Sequence, residues 1–178
     1  MIKIRLLFLI LVMLIVSSSC GGGGIEQNDK IATYSSNIDY PIIDTNYVNM
    51  ADATELEIEL KYASEDNFVG KNLYNEFNEC YLHKIAAEKL YLATKILQNE
   101  KQDWKLLLLD CLRPRSIQYK LWDHVKKTPE QNYVANPVKG SIHSYGFAVD
   151  LTLLDENCND VDMGTKYDTF SKLSAPRL

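Results

Sequence analysis

Histidine is scarce in this 178-residue sequence, with three in all, so any imidazole-based site must be built from His83, His124 and His143. Long apolar runs are missing too: Leu6 to Val16 falls well short of the roughly twenty residues that cross a bilayer. Positive charge is not in excess. The 19 Lys and Arg stand against 24 Asp and Glu, for a formal charge of -5, which argues against nucleic-acid backbone binding as the main role. No internal repeat is visible. Cysteine, at four residues, is too sparse for a disulfide scaffold, and none is required at this size.

What is present is the make-up of one ordinary globular domain, 46% hydrophobic, 24% charged and 10% aromatic, with eleven tyrosines for the core. The N-terminus stands apart from it. Lys3 and Arg5 precede the short apolar run, and Ser17, Ser18 and Ser19 follow it, which reads as an export signal over residues 1–20. Cys20, followed by Gly21 to Gly24, resembles the lipidated cysteine of a bacterial lipoprotein signal. The resemblance implies a periplasmic or cell-envelope protein anchored to the membrane through Cys20, and loss of Lys3 and Arg5 would take the charge from -5 to -7. Residues 21–39 are polar and aperiodic, a flexible tether to a folded domain over 40–178. Of the other cysteines, Cys80, Cys111 and Cys158, at most one pair can form within the chain. Cys80 with Cys111 is one reading, because Cys158 sits in the turn-like run Asp155 to Asp160; three reduced thiols is the other.

Leu56, Ile58, Leu60 and Tyr62 alternate with Glu55, Glu57, Glu59 and Lys61, the period of a strand with one buried face. From Tyr81 to Leu97 the spacing changes to three and four, through Leu82, Ile85, Ala86, Leu90, Ala93 and Leu97, which predicts an amphipathic helix. Lys105 to Cys111 is almost unbroken in its apolar character and predicts a buried central strand. Pro114 and Ser116 open a second helix through Ile117, Leu121, Trp122 and Val125, and Tyr145 to Leu154 is a third strand candidate. Regular βαβ alternation is absent, so the expected fold is α+β, a small central, largely antiparallel sheet with flanking helices on one face.

Chemistry concentrates at Ser141-Ile142-His143-Ser144-Tyr145-Gly146-Phe147-Ala148-Val149-Asp150. Imidazole and carboxylate are both good zinc ligands, but an unbroken strand would point His143 and Asp150 to opposite faces, so convergence requires a bend that Gly146 can supply. The string has the form S-x-H-x-x-G-x-A-x-D and resembles the zinc motif of the D-alanyl-D-alanine dipeptidases, the VanX type, and their carboxypeptidase relatives. Further stretches resemble that family in the same order: Tyr62-Ala63 with Asn67 to Lys71 and Tyr74, Cys80 to Lys84, Asp110-Cys111-Leu112-Arg113-Pro114, and Asp162 to Asp168. The resemblance implies one zinc ion held by His143 and Asp150, and Arg113 beside the scissile carbonyl as the catalytic cation. It also implies Asp168 binding the free amino group of a small dipeptide, with Ser141 as a nearby polar contact. Arg113 has a second reading, a structural arginine paired with a carboxylate such as Asp110. His83 and His124 read as helix-face residues away from the metal.

The family's pattern continues with a Glu-x-x-His segment, its general base and third zinc ligand, which these 178 residues do not match. The expectation is therefore a shortened dipeptidase with activity at or near background, or a binding module that keeps the pocket without hydrolysis. Outside the cytoplasm, cleavage of D-alanyl-D-alanine or a related dipeptide would suit recycling of the cell wall.

Overall fold

A computed structural model of the chain describes residues 41–171 and Ser174. The segments expected to be an export signal and a tether, with Cys20 between them, lie outside the described residues. Within them, β4 (Lys105–Asp110) is the central strand, as its apolar run requires: Leu106, Leu107, Leu108 and Leu109 are all buried. It pairs in parallel with β2 (Leu56–Ile58) and antiparallel with β5 (Asp150–Leu154). A second sheet is a short antiparallel pair, β1 (Tyr47–Asn49) with β3 (Tyr81–His83). Two of the three pairings are antiparallel, and the chain is α+β.

Among the described residues two α-helices cover one face. From α1 (Lys84–Glu100), Ala87 and Leu90, and from α2 (Arg115–Val125), Ile117 and Leu121, join Leu106, Leu108 and Leu153 in the main core. Leu107, Leu109 and Leu154 form a smaller cluster on the other face, with Tyr167 packed against it. Beside it runs an open groove of about 800 Å³ between the sheet and residues 160–168.

Three elements differ from the sequence reading. Tyr81–His83 is strand rather than first helical turn, because it pairs with β1; α1 begins where the His83 ring nitrogen accepts the Ile85 N–H at 3.3 Å. The alternation from Leu56 to Tyr62 follows burial correctly, with Leu56, Leu60 and Tyr62 all buried, but the strand stops at Ile58. Lys61–Ala63 is a 3-10 turn, closed by the Ala63 N–H on the Leu60 carbonyl at 3.0 Å, which swings Tyr62 inward. Of Tyr145 to Leu154 only Asp150–Leu154 is strand; Ile142–Tyr145 is another 3-10 turn. Cys80 and Cys111 are joined by a disulfide across a Cα–Cα distance of 5.3 Å, and Cys158 is free and exposed.

Candidate metal centre

The site grows from the end of β4. Its last residue, Asp110, is fully buried after four buried leucines, and a carboxylate taken out of water in that way must find partners. It finds them on three side chains. Tyr74 donates its hydroxyl to Oδ1, Arg113 donates from Nε at 2.7 Å and from Nη2 to Oδ2, and His143 Nδ1 lies 3.2 Å from Oδ2. Burial alone would raise the Asp110 pKa, but the Arg113 guanidinium and the bonds from His143 and Tyr74 hold it below the ordinary carboxylate value.

A bulge brings Asp150 to the same place. The β4–β5 register runs Leu107 to Thr152 and Leu108 to Leu151, which continued would set Asp110 against Val149; the irregularity at Leu109 sets it against Asp150 instead. The bend expected at Gly146 is present. Its φ is 68°, and a Cβ there would stand 2.9 Å from the His83 backbone nitrogen, so both conformation and space call for glycine. The turn returns His143 over the strand ends, with its carbonyl accepting the Arg113 N–H at 3.1 Å and the Gly146 N–H at 3.0 Å.

His143 is therefore oriented from both sides. Nδ1 faces acceptors only, the Cys111 carbonyl at 3.1 Å and Asp110 at 3.2 Å, and so carries the proton; Nε2 points to Asp150 Oδ1 at 3.5 Å. Burial and the nearby Arg113 disfavour the imidazolium, yet the Asp150 carboxylate and the hydrogen bonds to Asp110 and Asp150 outweigh them and raise the pKa to about 9. Tyr167 donates its hydroxyl to Asp150 Oδ2 at 3.2 Å. Among the described residues, Asp110, His143 and Asp150 are the one group of three ligating side chains whose donor atoms all lie within 4.8 Å of one another. Imidazole with carboxylate suits zinc. Asp110 is already occupied by Tyr74 and Arg113, so His143 Nε2 and Asp150 are the pair available to an ion, with Asp110 the carboxylate behind the histidine.

Arg113 meets its structural reading and borders the cleft as well. It pairs with Asp110, reaches Asp150 at 3.4 Å and gives Nη1–H to Gln118 Oε1 at 2.7 Å, which among the described residues leaves one Nη1 hydrogen unspent. Its guanidinium lies 5.0 Å from the centre of the Tyr62 ring. The cleft these groups border, about 320 Å³, also takes in Ser141, Asp168, Phe68, Tyr133 and Phe170. At ~300 Å³ such a cleft is at the small end of ligand pockets. Asp168 accepts the Tyr62 hydroxyl at 3.2 Å and the Phe68 N–H at 3.3 Å. Among the described residues it has no ion-pair partner, and burial raises its pKa to about 6.

The structure thus gathers Arg113, Ser141, His143, Asp150 and Asp168 around one cleft. His83 and His124 are not part of it: His83 stacks on Phe147 at 4.2 Å, and His124 meets the Phe68 ring at 5.6 Å. Sequence reasoning treated Asp110 only as a partner for Arg113, and missed what Tyr74, Gln118 and Tyr167 each hold in place. A signal for Asp110 was available, since a carboxylate closing an unbroken apolar strand has to be paired.

The model of a protein family described as D-ala-D-ala dipeptidase matches residues 45–177. The chain belongs to the D-Ala-D-Ala dipeptidase family. It is 41% identical over 120 residues to a D-alanyl-D-alanine dipeptidase of Escherichia coli (strain K12), an alignment covering 67% of this chain and 59% of the relative. It is 30% identical to a D-alanyl-D-alanine dipeptidase of Synechocystis, covering 50% of this chain and 47% of that protein. The chain therefore spans about half to three-fifths of the length of these two curated relatives.

Proposed function

We propose that this domain binds a small dipeptide with a free amino terminus, D-alanyl-D-alanine or a close analogue, and carries the metal-binding part of a zinc dipeptidase. The observation that supports the reading most is the cleft's two-ended chemistry. At one end Asp168 is a partly buried carboxylate with no paired cation among the described residues, raised in pKa by desolvation, which is the setting that an ammonium group relieves. At the other, His143 Nε2 and Asp150 face each other beside the unspent N–H of Arg113. A dipeptide laid between them has its amino group on Asp168 and its amide carbonyl beside Arg113.

Zinc held by His143 and Asp150 would supply the Lewis acid that lowers the pKa of a bound water and polarises the amide. The chain's own residues do the rest of the positioning. Asp110 and the Cys111 carbonyl keep a proton on His143 Nδ1, so that the proton given up when an ion binds is the one on Nε2. Tyr167 fixes Asp150 by Oδ2 and leaves Oδ1 facing His143 Nε2. Arg113, held by Asp110 and Gln118, offers an N–H where negative charge develops on the carbonyl oxygen; one such donor contributes ~2.7 to 4 kcal/mol. Ser141 borders the same space.

A second reading, binding without turnover, is favoured by one observation. Among the described residues lining the cleft the carboxylates are Asp150 and Asp168, and both are engaged, so none is left to act as general base. The test is calorimetric titration of the zinc-loaded chain with D-alanyl-D-alanine and with its N-acetyl derivative, alongside an enzymatic assay for released D-alanine. Binding of the free dipeptide but not of the acetylated one supports the amino-group reading. Release of D-alanine then decides between hydrolysis and binding alone, and equal affinity for both ligands would defeat the Asp168 assignment.

A further inference from the structure

The disulfide lies immediately behind His143. Three stretches of chain meet there, 80–83, 110–113 and 142–146, joined by backbone bonds from Leu112 N to the Tyr81 carbonyl at 2.9 Å, from Arg113 N to the His143 carbonyl at 3.1 Å, and from His83 N to the Gly146 carbonyl at 2.9 Å. The sheet ladder of β4 ends at Asp110. One residue past the end of the ladder, Cys111 is bonded to Cys80, and the carbonyl of that same Cys111 stands 3.1 Å from His143 Nδ1. Both cysteines are buried, at 1% exposure. The covalent bond thus anchors the run that supplies both acceptors of the imidazole, Asp110 and Cys111, as well as Arg113.

We infer that Cys80 and Cys111 are positioning residues of the metal centre. Their bond holds the Cys111 carbonyl against the Nδ1–H of His143, and thereby aims Nε2 at the ion. This rests on the reading of His143 and Asp150 as zinc ligands, and it goes further by making the centre depend on the oxidised state of this buried pair. A dithiol reductant would cleave the S–S bond, the reductant giving up two electrons and two protons as it becomes a disulfide and the chain gaining two thiols. The freed Cys111 peptide is then held by hydrogen bonds alone, its Leu112 N–H on the Tyr81 carbonyl, with no covalent restraint beside them.

The test compares the oxidised wild-type chain with the Cys80→Ala/Cys111→Ala variant. Two quantities are read beside the circular-dichroism spectrum: zinc affinity by competition with a chromophoric chelator, and the His143 Nδ1–H resonance of the metal-free protein by proton–nitrogen NMR. The expected result is a folded variant with zinc affinity weakened ~10- to 100-fold, the range for loss of support behind a metal ligand, and with the Nδ1–H signal lost to solvent exchange. A cross-link that only stabilises the fold would lower the melting temperature and leave both readouts unchanged, and that result would overturn the inference. If the variant does not fold, the wild type refolded under a phosphine reductant keeps both side-chain volumes and is read by the Nδ1–H resonance alone, because freed thiols bind zinc themselves; failure of both to fold would show a bond that holds the fold rather than the histidine, and would also overturn it. Should the oxidised chain bind no zinc, the metal reading fails by itself, and the Nδ1–H signal still decides the role of the disulfide.

Discussion

Replacing Asp168 by asparagine should make the metal-free protein more stable at neutral pH and poorer at holding its ligand. The carboxylate has no paired cation among the described residues, and its pKa is raised from 3.8 to about 6 by burial. Its hydrogen bonds survive the change. Asparagine can accept the Phe68 N–H with its oxygen and donate its amide to the Tyr62 hydroxyl, and it tolerates the left-handed φ of 56° at this position. The sign follows from proton counting. Between the unfolded value of 3.8 and the folded value of about 6 the folded chain keeps a proton that the unfolded chain has released, so the contribution of Asp168 to stability falls as pH rises through that window. Carried in full, the shift corresponds to ~3 kcal/mol; partial exposure to solvent reduces it to ~1 to 2 kcal/mol. Urea unfolding with chelator present should therefore show Asp168→Asn more stable than wild type by that amount at pH 7, with the gap shrinking to a fraction of it near pH 4. The same variant should lose affinity for D-alanyl-D-alanine. A variant less stable than wild type at pH 7, or a gap equal at the two pH values, would refute the reasoning that Asp168 is an uncompensated carboxylate kept for a cationic ligand.

Other substitutions probe the supports of the site. Asp110→Asn leaves the buried Arg113 without its main counter-charge and should cost ~3 to 5 kcal/mol in a urea titration. Gly146→Ala puts a side chain at φ 68° and 2.9 Å from the His83 nitrogen; a loss of ~1 to 3 kcal/mol is expected, together with weaker zinc binding as the turn carrying His143 shifts. Leu108→Ala, at a position with no exposed surface, should destabilise by ~2 to 5 kcal/mol without altering zinc stoichiometry, which a melting curve and a metal assay check together.

The parts of the fold that were legible in the sequence are those whose pattern is carried by one segment. The leucine run of β4 must be buried on both faces, and the three-and-four spacing after Ile85 can only be a helix with one buried side, so both were readable without knowing their neighbours. The paired strands Tyr47–Asn49 and Tyr81–His83 were not, because each has three residues and exists only through the other. The site divides in the same way. His143, Gly146 and Asp150 lie within one string whose bend is written in its glycine. Tyr74, Gln118 and Tyr167 lie in three separate segments, and the bulge at Leu109 that moves Asp150 beside Asp110 is a property of how two strands register. The disulfide was one of two open readings, since spacing does not tell where Cys80 and Cys111 meet.

The central claim is that His143 Nε2 and Asp150 share one metal ion, and anomalous diffraction at the zinc edge from crystals grown with zinc tests it most directly. The account predicts a single strong peak at ~2.0 to 2.2 Å from both His143 Nε2 and an Asp150 oxygen, with Nδ1 still facing Asp110 and the Cys111 carbonyl, and no peak there in His143→Ala. A peak on Nδ1, or zinc bound elsewhere while the His143 and Asp150 side chains stay apart, would contradict it.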